Sequence, residues 1–178
     1  MLNKEFLREK IVLIIEKGKA MSTQIPRIIE TKMIYDAIKS MLMEIAFAYP
    51  EDVVHGLKSA AKTEISSRAQ SILKTLDENA FIAKQQRIPL CQDTGMAVIH
   101  ISIGQNIHIV GDYLEDVIHN AVSAAYKEGH LRNSVVSDPL FERKNTGDNT
   151  PPIIYYHIIP GETLEIEVAA KGFGSENM

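Results

Sequence analysis

The hexapeptide LCQDTG contains the only cysteine of the chain, Cys91, followed directly by Gln92 and Asp93. Pro89 and Gly95 bracket these residues and favour a tight turn, from which the three side chains could face one cleft. A thiolate is a good ligand for iron, and an amide and a carboxylate beside it could orient a bound hydroxyl group and move protons. Because a lone cysteine is more usually a small buried hydrophobe, the residues leave both interpretations open.

The triplet Asp93-Thr94-Gly95 has a third interpretation, because aspartic proteases use the same three residues. In those enzymes two such loops bring two carboxylates together to share one proton, and the body of the protein is all β. Here the first half of the chain has a helical pattern, and a turn precedes Asp93 where a protease would have a buried strand. The sequence therefore argues against a protease, and peptide hydrolysis by an Asp93→Asn variant would test this.

A second candidate segment is HLRNSVVSDPLF, residues 130–141, which follows a predicted helix stop. An arginine on a loop beside a cleft, here Arg132, is the natural bidentate partner of a carboxylate substrate. The alternative is that Arg132 forms a surface salt bridge. The side chains of Ser134, Ser137 and Asp138 could hold the loop by local hydrogen bonds.

The last ten residues, AAKGFGSENM, run from a predicted strand into a glycine-rich turn. Gly172 and Gly174 would allow backbone N–H groups to approach an anion. Because domains rarely finish on such a feature, we expect the chain to be a fragment of something longer.

The periodicity of apolar residues predicts an α+β fold with a helical N-terminal half. Residues 1–27 read as a peripheral arm or helix, and residues 28–178 as the domain. The expected order is a helical block, a strand, a crossing helix and a hairpin, which together give a small mixed or antiparallel sheet. The segments that carry these patterns are helices in 28–48, 51–61 and 65–83, a strand at 99–103, a helix opened by an Asp112/Glu115 capping box and stopped at Gly129, and strands at 153–159 and 164–168.

Composition narrows the classes of function. The chain has 178 residues, 45% of them hydrophobic, which is enough to bury a core in one domain. Its net charge is −4 and no basic stripe is interleaved with aromatic residues, so we expect no nucleic-acid partner. The sequence contains no run of about 18 apolar residues, so it predicts no membrane span. One cysteine rules out an internal disulfide and fits the reducing cytoplasm.

Three motifs occur together and in order: PLCQDTGMAVIHISIG, LRNSVVSDPLFERKNTGDNTPPIIYYHIIPG and LEIEVAAKGFGSENM. They resemble the alpha subunit of the iron–sulfur hydro-lyases, the family of class I fumarate hydratase and L-tartrate dehydratase. The resemblance runs from about residue 28 to the C-terminus. It implies reversible hydration of fumarate to malate, with dehydration of L-tartrate as the alternative.

The resemblance also implies roles for single residues. Cys91 would be the first of three cysteine ligands of a 4Fe–4S cluster. Gln92, Asp93, Arg132, Gly174 and Asn177 would contact the dicarboxylate substrate, with Ser175 nearby. Asp93 would also take part in the proton and hydroxyl steps. In the family the other two cysteines follow the K-G-x-G-S-E-N segment, where this chain ends.

A truncated alpha-type domain has consequences for cofactor and partners. We expect the isolated chain to bind no intact cluster and to have no turnover. The family further implies a beta-type subunit that supplies more of the site, and exposed apolar surface predicts an oligomer. A non-catalytic carboxylate-binding or assembly domain is the alternative to an enzyme part.

Overall fold

The structure is a computed structural model that describes residues 25–174. Most of the predicted arm at 1–27, and the predicted site residues Ser175 and Asn177, lie outside these residues. Within them the chain forms five strands and four helices. In order they are β1 (Arg27–Glu30), α1 (Thr31–Phe47), α2 (Glu51–Thr63), α3 (Ser67–Gln86), β2 (Met96–Gly104), β3 (Ile107–Val110), α4 (Leu114–Glu128), β4 (Ile153–Ile159) and β5 (Leu164–Lys171).

A mixed three-stranded sheet, in the order β4-β2-β5, forms one layer of the α+β fold and confirms the predicted class. Strand β2 pairs in parallel with β4 and antiparallel with β5, so that Ile101 lies between Tyr156 and Ile166. The predicted hairpin is wrong in its pairing, because β4 and β5 flank β2 and do not pair with each other. Alternation identifies a strand but does not select its neighbour, and the buried backbone N–H and C=O groups of β2 are satisfied only if both of its edges are paired.

A second, parallel ribbon of β1 and β3 was not predicted. Ile29 of β1 lies opposite Ile109 of β3 and is 4% exposed. Each strand has four residues, which is too short for an alternating pattern to stand out. Helix α1 consequently begins at Thr31, three residues later than the predicted start at residue 28.

Helices α1 and α4 pack together on the inner face of the mixed sheet. Apolar residues four apart along α1 meet the apolar stripe of α4 and the inward side chains of β2, which is the pattern of an amphipathic helix on a half-buried strand. The fully or almost fully buried members of this core are Ile34, Ile38, Leu42, Ala97, Ile99, Ile101, Ile118, Ala121, Val122, Ala125 and Tyr126.

The start of α4 differs from the predicted capping box. The residue before the helix is Tyr113, and no side chain caps the first turn. Glu115 instead accepts a hydrogen bond from the Tyr113 hydroxyl at 3.1 Å, and the Asp112 N–H donates to the Thr31 hydroxyl at 3.2 Å. The predicted stop at Gly129 is confirmed.

Helices α2 and α3 contribute little to the core. No residue of α2 is buried, and only Ala83 of α3 is. Ser66 caps α3 through its side-chain oxygen, which accepts from Ala69 N–H at 3.5 Å. Among the helices of 25–174, none is at once long enough and apolar enough to cross a bilayer.

Candidate active site

The LCQDTG turn is fixed at its first residue by two helices. The Leu90 N–H donates to the Ala46 carbonyl of α1 at 2.9 Å, and the Leu90 carbonyl accepts from the Asn79 side chain of α3 at 3.0 Å. Strand β2 begins at Met96, directly after the turn. The turn is therefore held at both ends by regular structure, which is how a loop presents side chains in a defined position.

The turn exposes Cys91 to solvent. The Asp93 N–H lies 3.4 Å from the Cys91 sulfur, and the Gly95 N–H donates to Asp93 Oδ1 at 3.3 Å. Cys91 and Asp93 line a cavity of about 130 Å³ whose floor includes Leu42 and Tyr126. The interpretation of Cys91 as a buried core residue is wrong, because the turn directs the thiol outward beside the carboxylate.

The glycine-rich segment at the end of β5 meets the same turn. Gly95 has φ +68°, and a Cβ at this position would lie 2.5 Å from the Lys171 carbonyl oxygen. Only glycine permits this approach of the two backbones. Asp93 Oδ2 accepts a hydrogen bond from the Phe173 N–H at 3.1 Å, so the carboxylate joins the turn to the segment that ends at Gly174.

Arg132 reaches the turn from the loop after α4. Its Nη1 donates to Gln92 Oε1 at 3.3 Å, and its carbonyl accepts from the Thr94 hydroxyl at 3.0 Å. The guanidinium group is exposed and its hydrogen bond goes to an amide. Among residues 25–174 the Arg132 side chain forms no salt bridge, so the surface ion pair considered above is not found in this part of the chain.

Two polar residues beneath these groups were missed by the sequence analysis. The Tyr126 hydroxyl donates to the carbonyls of Thr94 and Gly95 at 2.8 and 3.2 Å. Burial raises the pKa of Tyr126 to about 12, because the phenolate would lose its hydration. Asn149 is 0% exposed and donates from Nδ2 to the Gly95 carbonyl at 3.0 Å.

The signals for these two residues were weak. Tyr126 continues the apolar stripe of α4, where its hydroxyl group gives no separate indication. Asn149 belongs to the NTGDNTPP segment, which composition identifies only as a loop. A polar atom enclosed by packed segments becomes visible only when the segments are in place.

The loop 130–141 is held as predicted by some of its polar side chains. Asp138 accepts from Leu140 N–H and Phe141 N–H at 3.0 and 3.1 Å, and these bonds, with Phe141 first, hold the Asp138 pKa below its usual value. The Ser137 hydroxyl donates to the Lys144 carbonyl at 3.3 Å. The Ser134 hydroxyl, in contrast, is buried without a hydrogen-bond partner among residues 25–174.

The predicted site residues that fall within 25–174 lie close together in the structure. Cys91, Gln92, Asp93 and Arg132 lie within a set of direct hydrogen bonds, and Gly174 is exposed one residue beyond the Phe173 amide that binds Asp93. The groups combine an exposed thiol, an exposed amide and an exposed guanidinium with a half-buried carboxylate. Such a set can bind an anion, carry a proton and provide one soft metal ligand.

The chain does not by itself provide a complete cluster site. It has one cysteine, and within 25–174 no group of three His, Cys, Asp or Glu side chains could hold a metal ion. A cluster ligated by three cysteines therefore requires two ligands from elsewhere. Cys91 is suited to be one ligand by its exposure, and no chemical step below depends on the cluster.

Comparison with known proteins decides the family. The family model of fumarate hydratase (Fumerase) matches residues 35–178. The chain belongs to the fumarate hydratase (Fumerase) family. This match contains every site residue discussed above, including those beyond the described range.

The chain is also similar to individual proteins that are named as tartrate dehydratase alpha subunits. The chain is 38% identical over 153 residues to the putative L(+)-tartrate dehydratase subunit alpha of Methanocaldococcus jannaschii, which covers 82% of this chain and 52% of that protein. It is 34% identical over 134 residues to the L(+)-tartrate dehydratase subunit alpha of Escherichia coli K12, covering 73% and 43%. The chain thus spans about half the length of the curated relatives that it matches.

Proposed function

We propose that this chain supplies part of the active site of an iron–sulfur-dependent hydro-lyase that reversibly hydrates fumarate to malate. The observation that carries the proposal is the convergence of Gln92, Asp93 and Arg132 on one exposed turn, joined to the glycine-rich segment through Asp93. This set of groups suits a small dianion, and the match to the fumarate hydratase family supports that substrate class.

In the dehydration direction, a base removes a proton from the carbon next to a carboxylate and the hydroxyl group leaves from the neighbouring carbon. Hydration is the reverse, with a proton and a hydroxide added across the double bond. The Asp93 carboxylate is the group we assign to the proton, because it is the acid at the centre of the site. The electron pair of the broken C–H bond moves toward the substrate carboxylate, where negative charge accumulates, and then forms the C=C bond as the C–O bond breaks. The hydroxide that leaves and the abstracted proton are released together as one molecule of water.

Arg132 is the residue to which we assign the stabilisation of that charge. Its guanidinium can donate two parallel hydrogen bonds to a carboxylate, and Gln92 both orients it and offers an amide N–H to the substrate. A preorganised donor of this kind contributes about 2–4 kcal/mol to the stabilisation of a developing oxyanion. The roles of Gly174 and Asn177 in substrate binding remain predictions, as does that of Cys91 as a cluster ligand.

L-Tartrate is the second candidate substrate, because the relatives quoted above are named as tartrate dehydratase alpha subunits. That name also motivates the proposal of a beta-type partner subunit. We further propose a cytoplasmic location and an oligomeric assembly. Fumarate and tartrate differ in their hydroxyl groups and share two carboxylates, so Arg132 serves either one.

Ligand binding by the 178-residue chain tests the proposal. Fumarate, L-malate, L-tartrate and the monocarboxylate propionate are titrated into the protein and followed by amide NMR shifts. We expect the dicarboxylates to shift the amides of residues 91–95, and Arg132→Gln to weaken that binding about tenfold or more. Arg68→Gln, at an exposed position of α3, is the matched control.

Two results would contradict the proposal. One is an absence of dicarboxylate binding at millimolar concentration, and the other is equal weakening by Arg132→Gln and Arg68→Gln. Iron and acid-labile sulfide are measured in parallel after anaerobic reconstitution. A stoichiometric cluster on the isolated chain would overturn the expectation that its ligands come from more than this chain.

A further inference from the structure

Asn149 lies between the two segments that carry the candidate substrate-binding groups. Its side-chain oxygen accepts hydrogen bonds from the N–H groups of Ser134 and Val135 at 2.7 and 3.2 Å. Its side-chain nitrogen donates to the Gly95 carbonyl at 3.0 Å. The residue is 0% exposed, and its backbone has φ +61°, a conformation in which asparagine is common among non-glycine residues.

The loop 131–135 depends on such a bridge because it has no helix or strand of its own. Buried backbone N–H groups require acceptors, and Asn149 Oδ1 satisfies two of them at once. An amide suits this place because it combines an acceptor on one side with a donor on the other. An aspartate would turn an acceptor toward the Gly95 carbonyl. A purely apolar residue would remove the acceptor of two backbone N–H groups and one of the two side-chain donors to the Gly95 carbonyl.

The bridge acts close to the groups that would bind substrate. Ser134 is two residues after Arg132, and Gly95 is two residues after Asp93. A second bond, from the Thr94 hydroxyl to the Arg132 carbonyl at 3.0 Å, joins the same two segments. Together these bonds fix the separation between the backbone segment that carries Arg132 and the turn that carries Gln92 and Asp93.

We propose that Asn149 is a positioning residue that sets this separation and thereby makes the site selective for dicarboxylates over monocarboxylates. The inference rests on the proposed function for the identity of the ligand class. A dianion of fixed length contacts groups on both segments at once, so its affinity depends on their separation. A monocarboxylate needs only one carboxylate contact and is insensitive to that distance.

The test compares Asn149→Asp with Asn120→Asp, which makes the same chemical change at an exposed position of α4. Dissociation constants of the full 178-residue chain for fumarate, succinate and propionate are measured by NMR titration. Amide hydrogen exchange at Ser134 and Val135 and the Arg132 Nε–H resonance are recorded without ligand. Asn149→Asp is expected to raise the fumarate and succinate constants about tenfold and to leave the propionate constant within about twofold.

Ligand binding by wild-type protein tests the proposed function, and the Asn149→Asp variant tests the positioning role. If wild-type protein shows no preference for dicarboxylates, the proposed function and the ligand class are both overturned. If wild-type protein binds them but Asn149→Asp keeps the same constants and an unchanged Arg132 resonance, only the positioning role is overturned. An equal loss for propionate and fumarate would indicate general loosening of the structure and would also overturn it.

Should Asn149→Asp fail to fold by circular dichroism, Asn149→Ser is measured in its place. Serine leaves room for a water molecule to bridge the same backbone groups with less precise geometry. The expected signature is the same selective loss of dicarboxylate affinity.

Discussion

Replacing Gly95 with alanine tests whether the close approach of the LCQDTG turn and the end of β5 builds the candidate site. The new Cβ would lie 2.5 Å from the Lys171 carbonyl oxygen and 2.9 Å from the Gly172 nitrogen. These are backbone atoms, so they cannot turn aside as a flexible side chain would. Alanine must also adopt φ +68°, which favours glycine.

The magnitude follows from two terms. The left-handed backbone costs a non-glycine residue about 1–2 kcal/mol. Inserting a methyl group into a packed site costs about 1–3 kcal/mol. We therefore expect Gly95→Ala to lower the free energy of unfolding by about 2–5 kcal/mol, a large part of the about 5–15 kcal/mol that typically stabilises a domain.

Two other glycines separate these terms. Gly147 has φ +80° with nothing within 4 Å of an added Cβ, so Gly147→Ala measures the backbone term alone. At Gly104 an added Cβ would lie 2.5 Å from the Gly161 carbonyl oxygen without a left-handed φ, so Gly104→Ala measures the steric term. Urea unfolding followed by circular dichroism gives all three free energies.

Equal free energies of unfolding for Gly95→Ala and Gly147→Ala would refute the reasoning, because the steric contact would then contribute nothing. The same experiment has a local readout. In Gly95→Ala the amide of Phe173, which donates to Asp93, should exchange with solvent faster than in Gly147→Ala. An unchanged exchange rate would show that the turn and the glycine-rich segment are not coupled through Asp93.

Predictions for three further residues concern hydrogen bonds and pH. Tyr126→Phe should lower the free energy of urea unfolding by about 1–2 kcal/mol, because it removes a hydroxyl that donates to two buried carbonyls. The pKa of Tyr126 is raised to about 12 in the folded protein. Its contribution to the free energy of unfolding is therefore complete below about pH 10, and about 3 kcal/mol of it is lost between about pH 10 and 12. Tyr126→Phe should lack this loss. Thr94→Val should cost about 1 kcal/mol and increase the mobility of Arg132 in NMR relaxation, and unchanged relaxation would contradict the coupling. The lowered pKa of Asp138 means that its carboxylate stabilises the loop above the usual aspartate range and less as the pH falls. The protection factors of the loop amides, taken against intrinsic exchange rates at the same pH, should therefore decrease at low pH in wild-type protein but not in Asp138→Asn; a carboxyl NMR titration with an ordinary pKa would contradict this.

Much of the fold could be predicted because the longer elements carry their own periodic patterns. Helix α1 places Ile34, Ile38 and Leu42 on one buried face, and β2 buries Ile99 and Ile101 in alternation. The short strands β1 and β3 have no room for such a pattern. The pairing of β4 and β5 with β2 depends on which edges remain open after the helices pack, which no local pattern records.

The candidate site, like the fold, could be predicted from the sequence only in part. The sequence determined the reactive groups themselves, since the types and spacing of Cys91, Gln92, Asp93 and Arg132 define the chemistry available and carry the family resemblance. Tertiary structure decided that the thiol is exposed, that Arg132 binds an amide, and that Asp93 joins the turn to the segment after β5. It also decided that Tyr126 and Asn149 stabilise the turn by hydrogen bonds. A buried donor or acceptor stabilises the fold only where distant segments bring a backbone partner to it.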